Sequence, residues 1–150
     1  MNNIYELQSD HPLFRYFTPA ERSRIEAMAK VFALEEGGRL IDAGEVDSTL
    51  YAVEEGRLDI VINRDSAPLV IASVGPGDVL GEVSFIDDSP RTVSVIAAEE
   101  STVRAWNKTT LTTELADEPA LLAKLAIALS ELLVERLRDS VRRQGMVRPV

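Results

Sequence analysis

A mainly β domain with flanking helices is predicted by three observations. Between Val31 and Trp106 the chain breaks into eight short β-rich runs: VFAL, RLI, TLYAV, RLDIVI, LVIASV, DVLGEVSF, TVSVIAA and TVRAW. Glycine-bearing or acidic segments separate these runs. Apolar residues at sustained helical spacing lie before and after this stretch. Short strands recurring about every ten residues indicate a roll, a sandwich or a barrel.

Each element has a local signal. Thr18 as N-cap, Pro19 at the first helical position and Glu21 at the third make a capping box. Ile25, Met28, Ala29 and Phe32 follow at helical spacing, which predicts a helix over residues 19–30. In the fourth β run Leu58, Ile60 and Ile62 share one face, with Asp59 and Asn63 on the other. Gly37-Gly38, Gly44 and Gly56 sit where the chain must reverse, and Pro76-Gly77 has the residue types of the centre of a type II turn.

After Trp106 a short helix is predicted around residues 110–115. A long one opens at Asp117-Glu118-Pro119 and runs to about Arg143. At roughly 25 residues it would be ~37 Å long. Leu122, Leu125, Leu129, Leu132, Leu133, Leu137 and Val141 form its stripe, widened by Leu121, Ile127, Ala128 and Val134. A stripe this broad predicts packing on the chain's own β-domain and on a second copy, giving a homodimer through this helix. Arg136, Arg138, Arg142, Arg143 and Arg148 crowd its end, where the helix dipole favours cations. The chain therefore reads as one domain: a helical segment over 1–32, the β-domain over 33–107 and C-terminal helices over 108–143.

Composition excludes several function classes. The 150 residues contain no cysteine and a single histidine, His11. Thiol nucleophiles, iron–sulfur clusters and cysteine zinc sites are absent, and a histidine-rich metal centre or a Ser/His/Asp triad lacks its parts. No catalytic residue and no metal ligand is assigned, and His11 and Asp78 read as incidental and as a turn residue. A net charge of −9 opposes binding to nucleic acid or anionic lipid. No apolar run approaches the ~20 residues that span a bilayer, so membrane insertion is not expected and a cytoplasmic location is.

The chemistry concentrates in GPGDVLGEVSFIDDSPRTVSV, residues 75–95. Its glycine spacing misses the dinucleotide fingerprint by one residue, and it lacks the lysine of a P-loop. It does hold Gly81-Glu82 at the end of a strand, a brief apolar piece, and Pro90-Arg91-Thr92 before the next strand. Gly81 permits close approach of a ligand, and the free N–H groups of a one-turn helix face an anion. Arg91 would match a phosphate with two parallel hydrogen bonds, and Glu82 would accept from a sugar hydroxyl. Taken singly, Arg91 reads as a surface partner of Asp87 or Asp88, and Glu82 as a solvated carboxylate. Trp106 and Tyr51 read as core.

Residues 80–95, LGEVSFIDDSPRTVSV, resemble the phosphate-binding cassette of cyclic-nucleotide-binding domains, the family of catabolite activators and protein kinase A regulatory subunits. RLIDAGEVDSTLYAVEEGRLDIVI, residues 39–62, resembles that family's early strands, and Leu80 stands where phenylalanine is common. The resemblance implies an eight-stranded antiparallel β-roll of jelly-roll type, cupin-like and double-stranded, with the cassette over 80–93. It implies cAMP or cGMP as ligand, with no further cofactor. Glu82 would take the ribose 2′-hydroxyl and Arg91 the cyclic phosphate. Gly81, Pro90 and backbone N–H groups near Val83, Ser84 and Thr92 would complete the anion site. Thr92 is compatible with a bond to the guanine amino group. Base contacts would come from the long helix, at Leu125, Leu129, Ser130 or Leu133. No DNA-binding domain fits after Arg143, so the expected role is a stand-alone regulatory module that signals to a separate partner protein through its C-terminal helix. A ligand-independent interaction or dimerisation module on the same fold is the alternative.

Overall fold

The computed structural model describes residues 11–144. The first ten residues of the helical segment and Arg148 of the basic tail lie outside the described residues. A 3₁₀ turn at Pro12–Phe14 leads to α1, Pro19–Ala27. The β strands are β1 Lys30–Leu34, β2 Arg39–Ile41, β3 Thr49–Glu55, β4 Leu58–Arg64, β5 Ala67–Val74, β6 Val79–Leu80, β7 Ser94–Ala97 and β8 Ser101–Asn107. Helix α2, Glu82–Asp87, interrupts them between β6 and β7; α3, Lys108–Glu114, and α4, Pro119–Gln144, follow. The strands pair antiparallel in two four-stranded sheets, ordered β1-β8-β3-β6 and β2-β7-β4-β5. This is the predicted β-roll with helices at both ends.

The capping box of α1 forms as read: the Thr18 hydroxyl accepts from the Glu21 N–H at 3.2 Å, and the Glu21 carboxylate from the Thr18 N–H at 2.9 Å. The helix is shorter than expected, because Lys30 already pairs with Ala105 as the first residue of β1. DVLGEVSF is not one strand. Gly81 takes a left-handed conformation, φ 78°, and turns the chain from the two-residue β6 into α2. The type II turn is present: Gly77 has φ 90°, and the Asp78 N–H reaches the Gly75 carbonyl at 3.0 Å. Gly56 is required by space as well as by its φ of 92°, since a Cβ there would lie 2.2 Å from the Ser101 hydroxyl.

β3 and β8 are apolar on both faces, and the alternation of a strand explains why. Tyr51 and Val53, with Val103 and Ala105, point between the sheets and meet Ile41, Leu58, Leu80, Val95 and Ala97. Leu50, Ala52 and Trp106 point the other way, into a second cluster with Phe14, Ile25, Leu111, Leu115, Leu121, Leu125 and Leu129. One sheet thus separates the roll interior from the helices. Leu58 and Ile60 join the interior cluster as predicted. Past them the pairing jumps from Ile60↔Ala72 to Val61↔Val70, leaving Ile71 as an extra residue on β5.

The sheet is joined to α1 by polar anchors at that helix's carbonyl end, where backbone acceptors have no partner within the helix. The Trp106 indole N–H donates to the Ile25 carbonyl at 2.7 Å, and Arg104 donates to the Glu26 carbonyl at 3.1 Å. Arg104 also pairs with Glu54 at 2.5 Å, both side chains almost fully buried. α4 lies along the helical cluster. Glu131 accepts from Arg15 and Tyr16 beside the 3₁₀ turn, Lys124 pairs with Glu21 at 2.7 Å, and Arg24 pairs with Glu118.

Candidate functional site

Arg91 is the most constrained residue of the cassette. Its backbone N–H donates to the Glu45 carbonyl and its carbonyl accepts from the Gly44 N–H, both at 2.8 Å, which pins it to the β2–β3 turn. Its side chain turns inward and is 3% exposed. Nη2 donates to the Thr49 carbonyl at 2.7 Å and Nη1 to the Gly81 carbonyl at 3.1 Å. The nearest carboxylate is Asp47, 3.5 Å from Nη2. The surface pairing with Asp87 or Asp88 does not form. Asp88 takes Lys108 and the Ser48 hydroxyl, Asp87 takes the Ser89 N–H, and Arg91 is drawn under the roll wall.

One donor of this buried cation is unused. Arg91 Nε is inaccessible to water and has no hydrogen-bond partner. A buried N–H in that state costs free energy unless something outside the chain supplies an acceptor. The guanidinium also lies 5.9 Å from the centre of the Tyr51 ring. Burial, aided by Asp47, pushes the Tyr51 phenol up to about 12, so it stays neutral and donates to Asp47 at 3.3 Å. Tyr51 is core on one side and a wall for Arg91 on the other.

Gly81 makes this geometry possible. Besides its left-handed backbone, a Cβ there would lie 2.6 Å from Arg91 Nη1 and 2.7 Å from the Thr49 carbonyl. No side chain caps the amides that α2 presents next. Gly81, Glu82, Val83, Ser84, Arg91 and Thr92 line one cleft of about 130 Å³. Its floor is apolar, formed by Ile41, Ile60, Leu80 and Val95. Pro90 is exposed and outside the lining; it ends the segment from which Arg91 turns inward. Six of the seven cassette residues are thus brought together.

The base-contact window behaves differently. Leu125 and Leu129 are 3% and 1% exposed and sit in the helical cluster, on the far side of the sheet from the roll interior. Their i, i+4 spacing puts both on the face that docks on the 3₁₀ turn and the sheet. Ser130 is exposed, its hydroxyl donating to the Ala126 carbonyl at 2.7 Å. Leu133 is half-buried, and none of the four lines the cleft. Leu125→Ala is accordingly expected to lower folding stability by about 2–5 kcal/mol in urea unfolding. Loss of ligand affinity with unchanged stability would restore the base-contact role.

The cleft residue of α4 is instead Arg136, which sequence reasoning placed only as a cation at the helix end. Its guanidinium donates to the Glu82 carboxylate and to the Val79 carbonyl. A signal for it existed. Leu125, Leu129, Leu132 and Arg136 follow at i, i+4, i+7 and i+11, so Arg136 continues the docking stripe instead of facing solvent.

The fold and the cleft together define a class of β-roll domain: two antiparallel sheets with a glycine-acid turn set against a buried arginine. The chain belongs to the cyclic nucleotide-binding domain family, whose model matches residues 31–118, more than half of its length. It is 29% identical over 144 residues to a cGMP-dependent protein kinase of Plasmodium berghei, covering 91% of this chain and 16% of that protein. It is 27% identical over 92 residues to a cAMP-dependent protein kinase type II regulatory subunit of Drosophila melanogaster, covering 61% and 24%. The chain therefore spans less than a quarter of the length of either relative. Among solved structures, a cyclic nucleotide-binding domain from Methylobacillus flagellatus superposes with a TM-score of 0.80 at 25% identity, covering 98% of this chain and 82% of that one. No helix among the described residues is long and apolar enough to cross a membrane.

Proposed function

We propose that the chain binds a cyclic nucleotide, cAMP or cGMP, and acts as a regulatory module on a separate protein. The observation that carries this is the buried Arg91 with its unpartnered Nε, set in the same cleft as Glu82. Arg91 takes the cyclic phosphate and Glu82 the ribose 2′-hydroxyl, while Gly81 leaves room and the N–H groups of Val83, Ser84 and Thr92 complete the anion site. Thr92 is exposed among the cleft residues, so its hydroxyl is available to a guanine amino group, which keeps cGMP beside cAMP. Relatives named for each nucleotide support the pair.

Output runs through α4 in this reading. Ile127, Val134 and Leu137 are 52%, 46% and 66% exposed, and with Ser130 and Val141 they follow a heptad pattern on the face turned away from the β-roll. Such a stripe suits a second copy of the same helix.

Calorimetry with cAMP and with cGMP tests the ligand. Binding is expected for one or both, and a hundredfold excess over the dissociation constant stabilises the fold by about 2.7 kcal/mol. No heat and no thermal shift at millimolar nucleotide overturn it. A dimer that persists under that silence would select the ligand-independent interaction module, which the exposed α4 stripe favours.

A further inference from the structure

The longest sheet edge is left open. Among the described residues β5 pairs with β4 on one side and with no strand on the other. Its outward N–H and C=O groups are satisfied either by water or by a further strand. The other three edges are blunted: β6 has two residues, both buried, β2 has three, and β1 begins at Lys30 and stops before Glu35-Glu36. β5 has eight residues, and no charged residue lies between Ala67 and Gly77. Such a strand is about 26 Å long at ~3.3 Å per residue. Leu69, Val70 and Ile71 are 40%, 54% and 50% exposed, three large apolar side chains in succession. A two-residue turn with positive φ at Asp65, 53°, and Ser66, 64°, closes the β4–β5 hairpin and holds Arg64 opposite Ala67. The edge is a preformed template.

We propose that β5 pairs antiparallel with β5 of a second copy of this chain, joining two four-stranded sheets into one across a two-fold axis near Val70. The strand selects its own copy by symmetry and by charge. Antiparallel alignment about Val70 sets that residue against itself, Leu69 against Ile71 and Pro68 against Ala72 of the second copy, apolar against apolar. It also carries the hairpin end of one copy, with exposed Arg64 and Asp65, to the far end of the other strand. There exposed Arg57 flanks Gly75, because Leu58 pairs with Val74, and exposed Asp78 follows the Pro76-Gly77 turn. Asp65 thus approaches Arg57 and Arg64 approaches Asp78, whereas a parallel alignment would set each charge against its like. Pro68, which lacks an N–H, and the extra residue at Ile71 interrupt the ladder, which makes the pairing a concentration-dependent contact. This face is separate from the α4 stripe and independent of the nucleotide reading of the cleft.

Sedimentation equilibrium of the full chain tests the pairing in a Leu137→Glu background, which charges the α4 stripe, together with amide hydrogen exchange of residues 67–74 at low and high protein concentration. Leu137→Glu is expected still to dimerise, and protection of the β5 amides to rise with concentration. Val70→Lys and Val70→Asp, added singly, each put like charges across the axis and should weaken that dimer more than about tenfold. Mixing the two should restore it as a mixed dimer. Val70 is exposed, so both variants are expected to fold, and the exchange measurement needs no β5 variant at all. Leu137→Glu that stays monomeric at high concentration overturns the pairing and leaves α4 as the self-association surface. A dimer that survives both Val70 variants, or that forms without protecting β5, overturns it by placing the contact elsewhere. Protection of β5 at every concentration in a monomer overturns it too, by giving the edge to another segment of the same chain.

Discussion

Arg91→Ala is expected to leave little nucleotide bound at concentrations that just saturate wild type. Removing one partner of a desolvated charge pair costs about 2–5 kcal/mol, or roughly thirtyfold to several thousandfold in dissociation constant. The upper part of that range applies here. Arg91 is 5% exposed and is fixed at both ends, by its backbone bonds to Gly44 and Glu45 and by its side-chain bonds to the Thr49 and Gly81 carbonyls. Little ordering remains to be done when a phosphate arrives. Lysine keeps the charge but not the fork, so Arg91→Lys should recover only part of the affinity. Arg91 also joins the Gly81 turn to β3, and thermal unfolding of the same variants separates lost binding from lost structure. A folded alanine variant with an unchanged dissociation constant would make Arg91 a structural tie only.

The second large effect is expected far from the cleft, at Arg104→Ala. Arg104 and Glu54 form a buried pair, with side chains 9% and 3% exposed, and the Glu54 Oε2 atom has no hydrogen-bond partner. Deleting one member of such a pair leaves an uncompensated charge and costs about 3–5 kcal/mol. It also cuts the link from β8 to the end of α1. The combined change Arg104→Met with Glu54→Gln should recover much of the loss, because the isolated charge is what destabilises. Urea unfolding of the single and double variants reads both values. A pH signature accompanies them. Burial holds the Glu54 carboxyl above its ordinary 4.5 even with Arg104 pulling it down. Folded protein therefore keeps the proton more readily than unfolded chain, and this group's contribution is present at low pH and lost as pH rises through the folded-state value. Without Arg104 the shift grows, so Arg104→Ala should lose stability with rising pH more steeply than wild type.

Both variants probe contacts between residues far apart in the chain, and the limits of sequence reasoning lie there. Local chemistry is written in short segments. The Thr18-Pro19-Glu21 start of α1, the Pro76-Gly77 turn and the opening of α4 at Pro119 each depend on a few neighbouring residues, and each forms as read. The cassette was also readable, because Gly81-Glu82 followed at short distance by Pro90-Arg91-Thr92 resembles a family's motif, and the fold brings all of these residues but Pro90 into one cleft lining with Val83 and Ser84. Lys30 went to β1 instead of α1 because pairing with Ala105, a partner 75 positions away, outweighed the helical pattern.

Amino-acid order alone determined the start of α1, the Pro76-Gly77 turn and most of the strand succession, since these follow from backbone sterics and from residues within one or two turns of each other. The left-handed turn that splits DVLGEVSF at Gly81 emerged only in the fold. Only the closed fold decided that Leu125 and Leu129 belong to the helical cluster, that Arg136 reaches Glu82 across 54 positions and that Arg104 reaches Glu54 across 50. An amphipathic stripe states how much surface a helix must bury, but not against which neighbour. A charged side chain likewise carries no record of the partner that the packing of sheets and helices will bring within reach.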